Sequence, residues 1–180
     1  PSAPHPAVLQ PTTVRLLPLL AFAALVACPA APADEEPCTP SDAADPEVDP
    51  GGPYRCMDPR LNDGAGCGED GYPLGFAAKY ADRYILETRP TTGPEAQAFL
   101  ADVLVCLQER FLADATPDLS CEEVAANGFS SHVPCYLESG FCSVPLGDQF
   151  RIFAAVDKPD LGRPGQQEAI DRISEECATP

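Results

Sequence analysis

Apolar and polar positions follow two different patterns along this chain. From Leu16 to Ala27 an apolar run with no charged residue follows Arg15. A bilayer core takes about 20 such residues, so this run is too short to span one, and it has the length of a signal-peptide h-region. After Pro73 the apolar residues take up helical spacing instead, at Leu74, Ala77, Ala78, Ala81 and Ile85. The strongest helical pattern comes next. Phe99, Val103, Leu107 and Phe111 recur at i+4, flanked by Leu100 and Leu104, and predict one broad apolar face. Thr92-Gly93-Pro94-Glu95 supplies the break before it and an acidic first turn that suits the helix dipole. Ser120 with Glu123 three residues on predicts a capping box, with Gly128 as the stop. Ser130 and Ser131 start a further turn or two through Tyr136, and Phe150, Phe153 and Val156 give another helical signal. A last helix from about Gly165 carries Ile170, Ile173 and Cys177 on one face. No useful stretch alternates as a strand would. The expected fold is all-α, a disulfide-stapled helical bundle.

The remaining stretches are read by composition. Residues 1–27 form the expected signal peptide, 28–53 a tether and 54–180 the helical disulfide domain. The tether is rich in Pro and Ala and holds acids but no base between Asp34 and Pro50. It offers too little apolar surface to offset the entropy of ordering, so it is expected to be disordered, with Cys38 pinning its first part. Tyr54 to Gly71, dense in Gly, Asp and Asn, is expected to be a loop. The formal net charge is −17. Such a charge repels phosphate backbones and anionic membranes, which disfavours nucleic acid and leaves a lipid anchor as the expected membrane contact. An unidentified protein or a cation is the partner this charge admits.

Two cleavage sites compete at the end of the apolar run. Leu25-Val26-Ala27-Cys28 resembles the lipobox of bacterial lipoproteins, where the peptidase cuts before a cysteine that already carries a diacylglyceryl group. Ala31-Pro32-Ala33 is an A-x-A site that would release a protein beginning at Asp34. The lipobox is favoured, with Cys28 as the lipidated residue. Residues 1–13 carry no apolar run and do not begin with Met. Val14 is a candidate alternative start, which would leave those residues untranslated.

Nine cysteines are an odd number, and lipid on Cys28 leaves Cys38, Cys56, Cys67, Cys106, Cys121, Cys135, Cys142 and Cys177. An even set behind an export signal reads as a disulfide framework. Zinc is disfavoured, because no C-x₂-C pair exists and the only histidines are His5 and His132. Spacing alone leaves the pairing open.

A longer series of residues carries a family resemblance. Leu74-Gly75-Phe76-Ala77-Ala78-Lys79-Tyr80 is followed by Ala98-Phe99-Leu100 and by Leu104-Val105-Cys106. Cys121 comes 15 residues later, Cys135-Tyr136 14 after that, Cys142-Ser143 7 further and Cys177 35 further still. This resembles the stanniocalcin family of secreted glycoprotein hormones, with its F-L-x-x-A-A-K-F run, its A-F-V ahead of a cysteine and its C-Y-x₅-C-S unit. The resemblance covers Cys67 to Cys177. It implies an all-helical domain with bridges Cys67–Cys121, Cys106–Cys135 and Cys142–Cys177, leaving Cys38–Cys56. Three departures follow. No cysteine comes after Cys177, so the family's intermolecular bridge has no counterpart and no covalent dimer is expected. No N-x-S/T sequon is present, so N-glycosylation is not expected. The lipobox points to a bacterial envelope, where the fold transfers better than a hormone's physiology.

Two enzyme-like patterns are weaker. His132-Val133-Pro134-Cys135-Tyr136, with Gly66-Cys67-Gly68 upstream, is faintly similar to secretory phospholipases. Their chemistry needs an Asp beside the His to hold calcium, and Val133 cannot ligate a hard cation. Asp58 to Glu69 has the length of a calcium loop, but Arg60 and Asp63 stand where a ligand and the turn glycine belong. No G-x-S-x-G, P-loop or H-E-x-x-H is present. The expectation is an exported, non-catalytic binding or signalling protein, secreted or lipid-anchored, with no metal or cofactor. The alternative is a small disulfide-rich hydrolase using His132 with acids such as Glu122, Glu123 or Asp148.

Cys28→Ser is expected to move the protein from the membrane to the soluble fraction, since stable anchoring needs the acyl chains that a lipidated cysteine carries. Fractionation with N-terminal sequencing checks this; wild type that is already soluble and begins at Asp34 would instead support the A-x-A cut.

Overall fold

The structure is a computed structural model that describes residues 36–45 and 47–178; the signal region, Cys28 and both cleavage sites lie outside them. The described residues are helical, with no strand among them. Chain order runs through α1 (Gly52–Met57), two 3₁₀ turns, and a continuous helical stretch from Tyr72 to Thr91 whose α-helical part is α2 (Lys79–Asp82). Then follow α3 (Pro94–Asp114), α4 (Cys121–Ser130), α5 (His132–Glu138), α6 (Leu146–Ala154), α7 (Lys158–Leu161) and α8 (Gln166–Ala178).

Helix α3 is the spine. Gly93 in extended conformation, Pro94 at the first position and Glu95 in the first turn set its start. Its core face carries Ala96, Phe99, Leu100, Val103, Leu104 and Phe111, all buried. The face is turned slightly from the one the pattern predicts. Leu107 is only partly buried, whereas Gln108 is fully enclosed. The reason lies in what covers it: Gln108 Oε1 accepts from Ser41 N at 2.7 Å, and its Nε2 donates to Pro50 O at 2.7 Å.

Those two bonds correct the tether expected at 28–53 over its described part. Residues 36–45 and 47–53 lie on the bundle, with Ala43 and Pro50 buried. Arg89 Nη1 donates to Ala43 O at 2.8 Å, and Asp82 Oδ1 accepts from Gly51 N at 2.8 Å. Cys38–Cys56 closes the segment onto α1. Polar side chains from two distant helical segments, Asp82 and Arg89 before α3 and Gln108 within it, thus hold a stretch whose own apolar content is too small to order it. Helix α1 also corrects the loop expected over Tyr54 to Gly71: Pro53 pre-sets its first turn, and Tyr54 is buried with its ring 4.9 Å from that of Phe111.

The stretch before α3 is wound in an uncommon way. Tyr72–Ala78 and Arg83–Thr88 are π-helical, on either side of α2. A π turn closes i→i+5 bonds, wider than the 3.6 residues of an α turn, and mixing the two brings the repeat to about four residues. Residues four apart then stack in a straight column. Tyr72, Phe76, Tyr80 and Tyr84 form that column, with successive ring centroids 5.8, 4.8 and 6.2 Å apart. Ala77, Ala78, Ala81 and Ile85 from the predicted face are buried beside it, while Leu74 is only half-buried.

Helix α4 begins with the predicted capping box: Glu123 N donates to Ser120 Oγ at 3.3 Å, and Glu123 Oε2 accepts from Ser120 N at 2.9 Å. Gly128 does not stop it. The helix continues to Ser130, and a Cβ at Gly128 would overlap the Tyr72 ring, so this glycine serves close approach. Phe150 departs from its expected core role as well: it is 75% exposed on α6, where Ile152 is the enclosed residue. In α8, Ala169 and Ile173 are buried and Ile170 is half-buried.

Four disulfides clamp these elements. Cys67–Cys121 ties the loop before Tyr72 to the start of α4, and Cys106–Cys135 ties α3 to α5. Cys142–Cys177 ties the 3₁₀ turn Phe141–Ser143 to α8. Cys38–Cys56, between the N-terminal segment and α1, is the fourth.

Two glycines on separate helices should respond oppositely to alanine. Gly128→Ala is expected to cost about 1–3 kcal/mol through overlap with Tyr72. Gly147→Ala, where a Cβ meets nothing within 4 Å, should stabilise by up to about 1 kcal/mol through helix propensity. Denaturant unfolding of the oxidised protein measures both; an unchanged midpoint for Gly128→Ala would refute the close approach.

Candidate functional site

A groove of about 520 Å³ runs along α4, α5 and α8. Small and apolar side chains on these helices, Ala125, Ala126, Phe129, Val133 and Ala169, make its floor. Glu122, Glu168, Arg163 and Arg172 line its rim, so both signs of charge are represented. The volume lies in the range of sites that hold small molecules or partner segments, roughly 300–1,000 Å³. Chemically, such a surface can bury an apolar face and orient polar ends.

One end of the groove is positioned by an ion network that the sequence pattern did not reveal. The Asp160 carboxylate accepts from Lys79 Nζ at 2.8 Å, Tyr80 Oη at 2.5 Å and Arg163 Nε at 2.7 Å. Burial alone would raise its pKa, but Lys79, Tyr80 and Arg163 outweigh that and hold it well below the usual carboxylate range. Asp157 joins in through Arg83 Nη1 at 2.8 Å and Lys79 Nζ at 2.5 Å, and Arg83 Nη1 also donates to Ala155 O at 2.7 Å. The network ties the column of Tyr80 to the linkers around α7 and fixes the Arg163–Gly165 corner. Its members lie some 80 residues apart in the chain, as with Tyr80 and Asp160, so no local motif announces them.

The residues singled out for hydrolysis do not assemble. His132 opens α5 buried, with its ring among those of Phe76, Phe129 and Tyr136. Its Nδ1 lies 2.9 Å from Gly128 O. A carbonyl only accepts, so the neutral ring carries its proton on Nδ1. Burial pushes the imidazole down to about 4. The acids are engaged elsewhere: Glu123 caps α4, and Asp148 accepts from Gly93 N at 3.1 Å and pairs with Arg151. Glu122 faces the groove.

The other sequence-level candidates resolve in the same way. Asp58 closes its own loop, with Oδ1 accepting from Cys67 N at 3.1 Å and Oδ2 from Gly68 N at 3.4 Å. Among the described residues no group of His, Cys, Asp and Glu is arranged to hold a metal ion, and no helix is long and apolar enough to cross a membrane. Cys38, Cys56, Cys67, Cys106, Cys121, Cys135, Cys142 and Cys177 are all in disulfides. Four such bridges mark an oxidising, extracytoplasmic setting. The groove itself had no sequence signal beyond the alanines of α4, because its walls meet only when α8 returns to the bundle. The chain matches none of the family models, curated proteins or solved structures compared with it.

His132 gives stability a defined pH dependence. Its ordinary value near 6.5 applies in the unfolded chain, and the folded value is about 4. Above pH 6.5 both states are neutral and nothing changes. As pH falls from 6.5 to 4 the unfolded state takes up the proton first, so stability declines by about 3 kcal/mol over that window and then levels off. His132→Gln is expected to flatten the slope there, whatever its baseline stability, as read by unfolding at a series of pH values. An equal slope in wild type and variant would assign the effect to other groups.

Proposed function

We propose that this chain is an exported, non-catalytic binding or signalling protein of stanniocalcin-like fold, held at the cell envelope by lipid on Cys28. The disulfide pairing carries the reading. Cys67–Cys121, Cys106–Cys135 and Cys142–Cys177 are the bridges implied by the resemblance, on an all-α chain. A pattern of three bridges is far more demanding than a helical content, because each requires two distant residues to meet. The binding role draws further support from the groove along α4, α5 and α8, which offers an apolar floor and a rim of mixed charge. Its ligand is a partner segment or small amphiphile with an apolar face. The carboxylate excess of the chain, net −17, favours a partner with cationic groups at its edges.

Affinity capture from the native envelope tests the binding role. Wild type is expected to retain a specific partner that Ala126→Trp, which fills the groove floor, loses by tenfold or more, on the order of 1.4 kcal/mol. Parallel assays with calcium and phospholipid vesicles are expected to show no turnover. Turnover abolished by His132→Ala would overturn the reading in favour of a hydrolase.

A further inference from the structure

All five tyrosines of the chain border one interior cavity of about 40 Å³: Tyr54 from α1, Tyr72, Tyr80 and Tyr84 from the aromatic column, and Tyr136 from α5. His132 and Gln166 complete its polar wall, and Leu100, Val103 and Leu104 of α3 supply apolar surface. Gln166 is 6% exposed, and its Oε1 is the buried side-chain oxygen among the described residues that has no hydrogen-bond partner. Interiors rarely leave such an acceptor unmatched; when one borders a roomy cavity, the partner is an ordered small molecule.

We infer that this cavity is a binding site for ordered water, a cluster of about two or three molecules that supplies the donor for Gln166 Oε1 and links the start of α8 to the tyrosines. Size, charge and polarity each point to this ligand. A buried water needs at least about 10–15 Å³, so 40 Å³ admits a few and excludes an organic molecule of ordinary size. The wall is neutral: burial raises the phenols of Tyr54, Tyr72 and Tyr136 above their ordinary value and keeps His132 uncharged at neutral pH. An ion there would have no counter-charge, and the carboxylate nearest in the network, Asp160, already holds Lys79, Tyr80 and Arg163. An apolar ligand would leave Gln166 unmatched. Water alone donates and accepts among phenols, amide and imidazole at this scale.

The site has a structural consequence. Gln166 is the first residue of α8, and Cys142–Cys177 holds that helix near its other end. The covalent clamp and the water cluster thus secure opposite ends of the same element.

Solution NMR of the full-length oxidised protein tests the inference without any variant. Long-lived water is expected to give NOESY cross-peaks, of the same sign as the protein's own, to the Gln166 side-chain amide and the Val103 methyls. Xenon, used as an apolar probe, is expected to leave the Leu100, Val103 and Leu104 methyls unshifted. Missing water cross-peaks, or saturable xenon shifts at those methyls, would overturn the proposal. Gln166→Leu removes the acceptor and is expected to lose the cross-peaks to Val103 and to admit xenon; cross-peaks as strong as wild type would equally refute the role given to Gln166.

Discussion

The stacked column of Tyr72, Phe76, Tyr80 and Tyr84 is the surface on which the rest of the structure is laid. Tyr72 meets Phe111 of α3 at 6.2 Å and Phe129 of α4 at 5.0 Å. Phe76 meets Phe129 at 4.9 Å and His132 of α5 at 6.0 Å. Tyr80 reaches the α7 region through its hydroxyl, which donates to Asp160 and accepts from Asp157 N at 3.0 Å. One helical face therefore touches four other elements, and it can do so only because π turns keep its rings in register. The glycine at position 128 is the complementary constraint: α4 must come close enough for a ring to occupy the place of a side chain.

A chain with no Trp, one Met and many alanines has little large apolar volume to distribute. The structure concentrates what it has in two aromatic clusters, one along the column and one where Phe99, Tyr136, Phe141 and Phe153 meet. Disulfides then hold the elements that lie outside those clusters. Cys38–Cys56 secures the N-terminal segment, and Cys142–Cys177 secures α8. Each closes a loop whose entropy in the unfolded chain would otherwise oppose docking, worth roughly 2–4 kcal/mol per bridge. Small exported domains commonly combine a modest core with covalent clamps for this reason.

Charge is managed by the same economy. Arg55, Lys79, Arg83, Arg110, Arg151 and Arg163 are all ion-paired within the fold, so the carboxylate excess is left to face solvent. Most of these pairs are partly exposed and individually weak. The Asp160 cluster differs, since its carboxylate is buried and receives three donors. It matters for position: Arg163 and Gly165 stand at the mouth of the groove because Asp160 holds the corner beside them. His132 is enclosed among aromatic rings, while the surface presents a groove of mixed charge.

What the sequence by itself determined is local. The i+4 rows marked α3 and the segment before it, Ser120 with Glu123 marked the capping box of α4, and Ile170 with Ile173 marked α8. These signals work because helix periodicity and caps involve residues three or four apart. Spacing alone left the pairing of the cysteines open. Tertiary structure decided the rest. Gln108 is buried because residues 41 and 50 come to it from far upstream, and those same bonds order a segment that composition alone reads as free. Gly128 reads as a stop until the Tyr72 ring arrives against it. The groove and the tyrosine-walled cavity exist only once α8 folds back beside α4 and α5. Each of these depends on contacts between residues tens of positions apart, which periodicity in a single chain cannot encode; the close approach itself settles which side chains end up inside.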